Sequence, residues 1–280
     1  GFSNYADSVG HFSAPVQTLI GVFCMIFGVN FAMYYALIRR DFKAIWKNGE
    51  WKLYFAIILV ATGLIALNIF PQCGRNLSQA IRLAYFQVSS IITTTGFSSC
   101  DFDLWPTLSK EILVMLMFIG ACAGSTGGGF KVSRVIILWK AIRQEFHSHL
   151  HPHIVTSPTF EDKPLSSDII RQTLVYLSLY VLLFIVSLFI LSFDRLSWFS
   201  AFTGVASCLN NIGPGFGALG PMENFGFLSP LSKIVLMIDM LAGRLELYPM
   251  LILLLPGVWK GSHKNLVLPR LRHQNDMNQL

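Results

Sequence analysis

Apolar residues run for bilayer length several times along this chain, with polar positions gathered between the runs. The pattern predicts five long hydrophobic helices, over roughly 15–38, 52–70, 109–141, 167–193 and 231–258. About 20 helical residues suffice to cross the hydrocarbon core. Two shorter segments, about 78–92 and 198–209, are helix-like but too short to span. Each follows a long helix and runs into a glycine-containing stretch, "TTTGFSSCDFD" at 93–103 and "NNIGPGFG" at 210–217. Irregular backbone at membrane depth is tolerated only against protein or a water-filled cavity. Both short segments are therefore candidate re-entrant elements. The alternative is a surface amphipathic helix followed by an exposed loop.

Composition strengthens the membrane reading. The chain is 53% hydrophobic and 13% charged, with a mean hydropathy of +0.56. Soluble domains carry about a quarter charged residues. The expected fold class is an all-α integral membrane protein. Arg39, Arg40, Lys43, Lys47 and Lys52 lie between the first two spans. Lys140, Arg143, Lys163 and Arg171 flank the third and fourth, and Lys260, Lys264, Arg270 and Arg272 fill the tail. Alternating the spans puts all three groups on one side, the cytoplasm. Both short segments then enter from outside. The net charge of +6 is spread over membrane-proximal loops, so a nucleic-acid partner has no support. The five cysteines (Cys24, Cys73, Cys100, Cys122, Cys208) show no C-x-x-C spacing and read as small hydrophobes. His147, His149, His151 and His153 alternate in a cytoplasmic loop. A solvated hairpin is the simpler reading there, and a metal site the alternative.

The chain repeats itself. "GFSNYADSVGHFSAP" at 1–15 resembles "GFSSCDFDLWPTLSK" at 96–110, and a looser copy starts at Gly213. The unit is helix, short helix, glycine loop, helix. Two complete units occupy 52–141 and 167–258, with the tail of another before them. The start at Gly1, inside such a loop and without an initiator Met or signal peptide, leads to the expectation of a fragment.

These loops have the chemistry of a cation filter. A dehydrated cation needs oxygen ligands, which backbone carbonyls and threonine hydroxyls supply. Glycine permits backbone conformations that aim successive carbonyls one way. The short helix turns its partially negative C-terminus toward the site. The candidate filter residues are Thr94, Thr95 and Gly96 in one loop, and Asn211, Ile212 and Gly213 in the other. Each loop offers one glycine at the equivalent place, against two in the TVGYG run of tetrameric potassium channels, so a shorter and less discriminating filter is expected. Asp7, Asp101 and Asp103 lie at the expected outer mouth, either concentrating cations or simply solvated.

Two further features stand out. "GACAGSTGGG" at 120–129 interrupts a long helix, because helix propensity collapses there. A phosphate loop is a poor reading, since the Gly-Lys-Ser/Thr ending and a preceding strand are both missing. A packing kink is the alternative that stays open. Arg244 interrupts the last apolar run, with Asp239 and Glu246 close by. An intramembrane charge faces a cavity or a partner, so Arg244 is either pore-facing or ion-paired with one of those acids.

Four motifs, "TTTGFSSCDFDLWP" (93–106), "GACAGSTGGGFKVSR" (120–134), "NNIGPGFG" (210–217) and "GRLELYPMLILLLPGVWK" (243–260), stand in this order and spacing. Together they resemble the Trk/Ktr potassium-uptake family, in particular its TrkH-type membrane subunits. The resemblance implies repeated membrane helix–pore helix–membrane helix units of the potassium-channel-like type, four to a chain. Residues 1–51 then match the end of the second unit, 52–150 the third, 151–260 the fourth, and 261–280 a cytoplasmic tail. Filter glycines carry over to Gly1, Gly96 and Gly213, the fourth having no counterpart here, with potassium held at Thr94, Thr95, Asn211 and Ile212. The stretch comprising Gly120, Ala123, Gly124, Ser125, Thr126, Gly127, Gly128 and Gly129 becomes a gating loop below the filter. Ala121 stands where the family usually has another glycine. Arg244 becomes part of the pore barrier. The implied function is potassium uptake across the bacterial inner membrane by a multi-pass, lipid-embedded protein that is not an enzyme, has no cofactor and carries potassium as its cargo. The implied partners are a second copy and a cytoplasmic, nucleotide-binding regulatory subunit of the TrkA type. The rival is a secondary transporter coupling potassium to proton or sodium, built on inverted repeats. Both complete units enter from the same side, which is the parallel arrangement of a pore.

Overall fold

The structure, a computed structural model, describes residues 3–150, 159–160, 163–245, 250 and 252. Asparagine and serine caps start several of its helices. Asn48 opens α4 (Gly49–Ile69) by accepting the Glu50 and Trp51 N–H groups, and Asn76 opens α5 (Leu77–Ile92) through the Gln79 N–H. Ser166 and Ser197 do the same for α8 (Ser167–Leu191) and α9 (Trp198–Leu209). α4 and α8 are the apolar helices long enough to cross a membrane among the described residues. The outer face of α4 carries Leu59 and Leu67, 75% and 70% exposed.

The other expected spans are modified. The first divides into α1 (Ala14–Phe27) and α2 (Phe31–Ile38), set at 90° to each other. Gly28 lies against the Tyr54 hydroxyl, and Asn30 turns its side chain back to accept the Ala32 N–H, which starts a new helix. After the short helix α3 (Phe42–Lys47) the chain enters α4. The third expected span divides into α6 (Thr107–Phe118) and α7 (Val132–Leu150), with residues 119–131 between them. The last is α10 (Pro230–Leu245), and 246–258 lie outside the described residues apart from helical Met250 and Ile252. The all-α expectation is amended by a two-residue antiparallel ladder, β1 (Thr159–Phe160) with β2 (Lys163–Pro164).

Two helix triples share one pattern of packing. α4, α5 and α6 all touch one another, and so do α8, α9 and α10. α1 packs on α5, α6 on α9 and α7 on α8, which joins the triples into one body. The short helices α5 and α9 are enclosed rather than superficial. In α5 every residue from Phe86 to Ile92 is buried, and in α9 nearly every residue from Ser200 to Leu209 is. That disposes of the surface-helix alternative for both.

Candidate functional site

The two short helices end in the same way. Past the C-cap Thr93, the Thr94 N–H donates to Ile91 O and the Thr95 N–H to Ser90 O. Past Asn210, the Asn211 N–H donates to Cys208 O and the Ile212 N–H to Ser207 O. This is the Schellman closure, which requires a left-handed residue at its turn. Thr94 (φ +55°) and Asn211 (φ +58°) supply it, followed two residues on by Gly96 (φ +79°) and Gly213 (φ +120°). A left-handed β-branched residue costs about 1–2 kcal/mol. Part of that is offset by the Gly128 N–H, which donates to Thr94 Oγ1 at 2.7 Å.

The glycine loops meet each other. A Cβ on Gly96 would lie 1.7 Å from Ile212 O, so this position admits no side chain while Ile212 stays in place. Outside them, Phe102 and Phe216 stack edge to face at 5.1 Å, both fully buried. Asp103 accepts from the Gly217 N–H through Oδ2 and from Lys110 Nζ through Oδ1. Asp103 is therefore a strut between the two loops rather than a free outer-mouth charge. Asp101 caps the short 3-10 turn at Phe102–Leu104. The stretch that follows Gly1 docks on the same face, where the Val9 N–H donates to Ser98 O and the Ser98 N–H to Ser8 Oγ. Gly1 itself lies outside the described residues.

Beneath the two turns lies the interrupted helix. Its loop is stitched at the base by Gly120 N–H to Phe130 O and Val132 N–H to Ala121 O. The tip passes directly under both turns: Gly128 abuts Asn210 O, and Gly127 faces Thr93 O. Bonds to the α1–α2 break hold its other side, from Cys122 N–H to Gly28 O, from Phe31 N–H to Gly124 O and from the Thr126 hydroxyl to Phe27 O. This is far more engagement than a packing kink makes.

A cavity of 330 Å³ opens below, lined by Gly124–Gly129, Lys131, Gly243 and Arg244. Lys131 donates to Gly127 O and Arg244 to Thr126 O. The alternative pairing of Arg244 with Asp239 is not made. Asp239 is fully buried and accepts from the Ser187 hydroxyl at 2.8 Å, while Glu246 lies outside the described residues. Gly243 sets the position of Arg244, because a Cβ there would sit 1.8 Å from Leu209 O, so only glycine lets α10 touch the end of α9. The Asn211 side chain adds a bond to Met240 O. Gly243→Ala is expected to separate the two helices and cost several kcal/mol, on the order of other overpacked cores. Folded yield in detergent and thermal unfolding measure it.

The structure also shows what the chain pattern hides. Glu50, in the first turn of α4, is 3% exposed and reaches the loop, as do Asn30 and Gly28. An acid at a helix start signals only dipole pairing. His147 and His149 fall in the last turn of α7 rather than in a hairpin, and His149 pairs with Glu145 at 3.4 Å. His151 and His153 lie outside the described residues. Burial pushes the Cys100 thiol up to about 12, which leaves it an inert small hydrophobe.

Long apolar helices and enclosed short helices with left-handed ends, packed over a glycine-rich loop, define a helical membrane protein. Residues 1–257 match the family model described as "TrkH: Cation transport protein", and the chain belongs to that family. It is 35% identical over 267 residues to the Trk system potassium uptake protein TrkH of Salmonella typhimurium, covering 93% of this chain and 54% of that protein. It is 31% identical to the Trk system potassium uptake protein TrkG of Escherichia coli, over 93% of this chain and 54% of that protein. The crystal structure of the potassium transporter TrkH from Vibrio parahaemolyticus superposes with a TM-score of 0.83 at 34% identity, covering 92% of this chain and 56% of that one. The chain thus spans about half the length of the curated relatives it matches.

Proposed function

We propose that this chain forms about half of a channel-like potassium-uptake pore in a bacterial inner membrane, with its helices crossing in several passes. The observation that carries the reading is the meeting of two identical helix-end turns, at 94–96 and 211–213, directly above the 120–129 loop. The short helices are pore helices whose C-termini stabilise a cation by their dipoles. Backbone carbonyls of the two turns replace water around potassium. Side-chain oxygens contribute less, because Thr94 Oγ1 accepts from Gly128 and Thr95 Oγ1 bonds to Thr93 Oγ1 at 2.8 Å. The Ser3–Phe12 stretch lies beside the 96–99 loop, as a neighbouring filter element from a preceding unit would. Potassium then enters the lower cavity past the loop, which acts as the gate, with Arg244 and Lys131 as a positive barrier. Two copies and a cytoplasmic nucleotide-binding subunit, docked on the basic loops, complete the system.

The test is potassium uptake by a deficient bacterium given the complete gene, alongside its Gly96→Ser variant. The serine forces the Ile212 carbonyl out of place and adds a side chain at positive φ. Misplacing one ligand by about 1.4 kcal/mol lowers potassium-over-sodium selectivity roughly tenfold. Unchanged selectivity at normal expression removes Gly96 from the filter.

A further inference from the structure

We infer that Glu50 is the positioning residue that holds the 119–131 loop closed, through one carboxylate oxygen that receives backbone N–H groups from both sides of the loop. Glu50 Oε1 accepts from Ala123 N–H at 2.7 Å and from Ser133 N–H at 2.9 Å. The donors lie 73 and 83 residues further along the chain. Ala123 begins the tip of the loop, and Ser133 is in the first turn of α7, where it resumes after the loop. A carboxylate there satisfies an otherwise orphaned N–H and faces the positive end of the α7 dipole. Both bonds are short, at the length of well-made N–H···O hydrogen bonds.

The ordinary explanation of an acid in a first turn does not apply. Asn48 already caps α4, accepting from the Glu50 and Trp51 N–H groups. The Glu50 side chain turns away from solvent into the protein. One turn further, Tyr54 is fully buried and donates to Met25 O at the end of α1. The same face of α4 therefore holds the loop through Glu50 and the α1–α2 break through Tyr54. The loop binds that break at Gly28 and Phe31, so α4 fixes both parties to the contact. The cations Lys131 and Arg244 hold carbonyls at the tip, on the cavity side. Glu50 holds N–H groups at the base.

The inference rests on the reading of this loop as the gate, and two readouts keep them separate. Cys122 adjoins the clamp and is 1% exposed, so its alkylation reports opening of the loop base. The protein expressed from its complete gene is reconstituted in liposomes. A membrane-permeant maleimide labels it, peptide mass spectrometry reads Cys122 alone, and potassium flux is recorded on the same vesicles. Glu50→Ala is expected to raise the Cys122 labelling rate at least about tenfold and to raise flux. Glu50→Gln is expected to stay within about twofold of the parent on both, because its amide oxygen accepts the same two N–H groups. Glu50→Asp, one methylene too short, is expected to fall between them, and it decides the matter if the alanine variant does not fold. Unchanged labelling in Glu50→Ala, or in Glu50→Asp where that stands in, overturns the clamp. So does labelling in Glu50→Gln as fast as in the alanine variant. Faster labelling with unchanged flux upholds the clamp and removes the gate reading instead.

Discussion

Arg244→Ala is expected to raise potassium flux per folded transporter by up to about a hundredfold, with Arg244→Lys close to the parent. Arg244 lines the cavity below the two glycine turns and donates to Thr126 O in the loop tip. A potassium ion passing about 6 Å from the guanidinium, at an effective dielectric near 20, meets a repulsion on the order of 3 kcal/mol. That amounts to roughly a hundredfold in rate if all of it lies in the barrier. Lys131 keeps one positive charge in the same cavity, and cavity water screens the other, so the gain falls short of that ceiling. The substitution also frees the loop tip from one of its ties, which acts in the same direction. A structural ion pair predicts the reverse. Losing the arginine would strand a buried partner acid and cost about 3–5 kcal/mol of stability. Asp239 is not that partner, since it is bonded to Ser187. Flux in liposomes normalised to folded protein, together with thermal unfolding, separates the cases. Lower stability without a gain in flux per molecule would sink the barrier assignment.

Deleting residues 124–128 is expected to raise flux at least about tenfold and to leave potassium-over-sodium selectivity nearly unchanged. The deletion removes the tip that lies under Thr93, Thr94 and Asn210. It leaves the backbone bonds at the base, Gly120 to Phe130 and Ala121 to Val132, so the shortened chain closes without moving α6 or α7. A loop shortened from 13 to eight residues also loses less conformational entropy on closing. The two glycine turns proposed as the filter keep their Schellman bonds, which come from within each short helix end. What it loses is the Gly128 bond to Thr94, and a modest fall in selectivity is the most that this bond accounts for. Isotope flux and its competition by sodium read both quantities. Lost flux in a protein that still inserts and assembles makes the loop a hinge and not a gate.

Much of this was legible along the chain because the signals are local. A short apolar helix followed by hydroxyl residues and glycine is readable at 78–92 and 198–209, and the observed helices are Leu77–Ile92 and Trp198–Leu209. The collapse of helix propensity at 120–129 is equally local, and the helix breaks there. The first span was not legible as two helices. "GVFCMIFGVNFAMYYALI" at 21–38 carries only Gly28 and the polar Asn30 at the break, inside an otherwise apolar run of spanning length. Its turn at Gly28–Asn30 depends on Tyr54 from α4 and on Cys122 and Gly124 from the loop. No nearby residue announces those partners.

The sequence by itself determined the membrane character, the short helices, the glycine turns and the interrupted helix, since each follows from hydrophobic length or backbone propensity within a few residues. Only the tertiary structure decided which groups those turns serve. It set Gly96 against Ile212, turned Asp103 from a solvated acid into a strut for Gly217, and gave Arg244 the Thr126 carbonyl in place of Asp239. It also brought Glu50 to Ala123 and Ser133. The physical reason is that a polar group buried at membrane depth must be bonded. Its partner is chosen by what the packed helices bring within about 3 Å, not by what stands next to it in the chain.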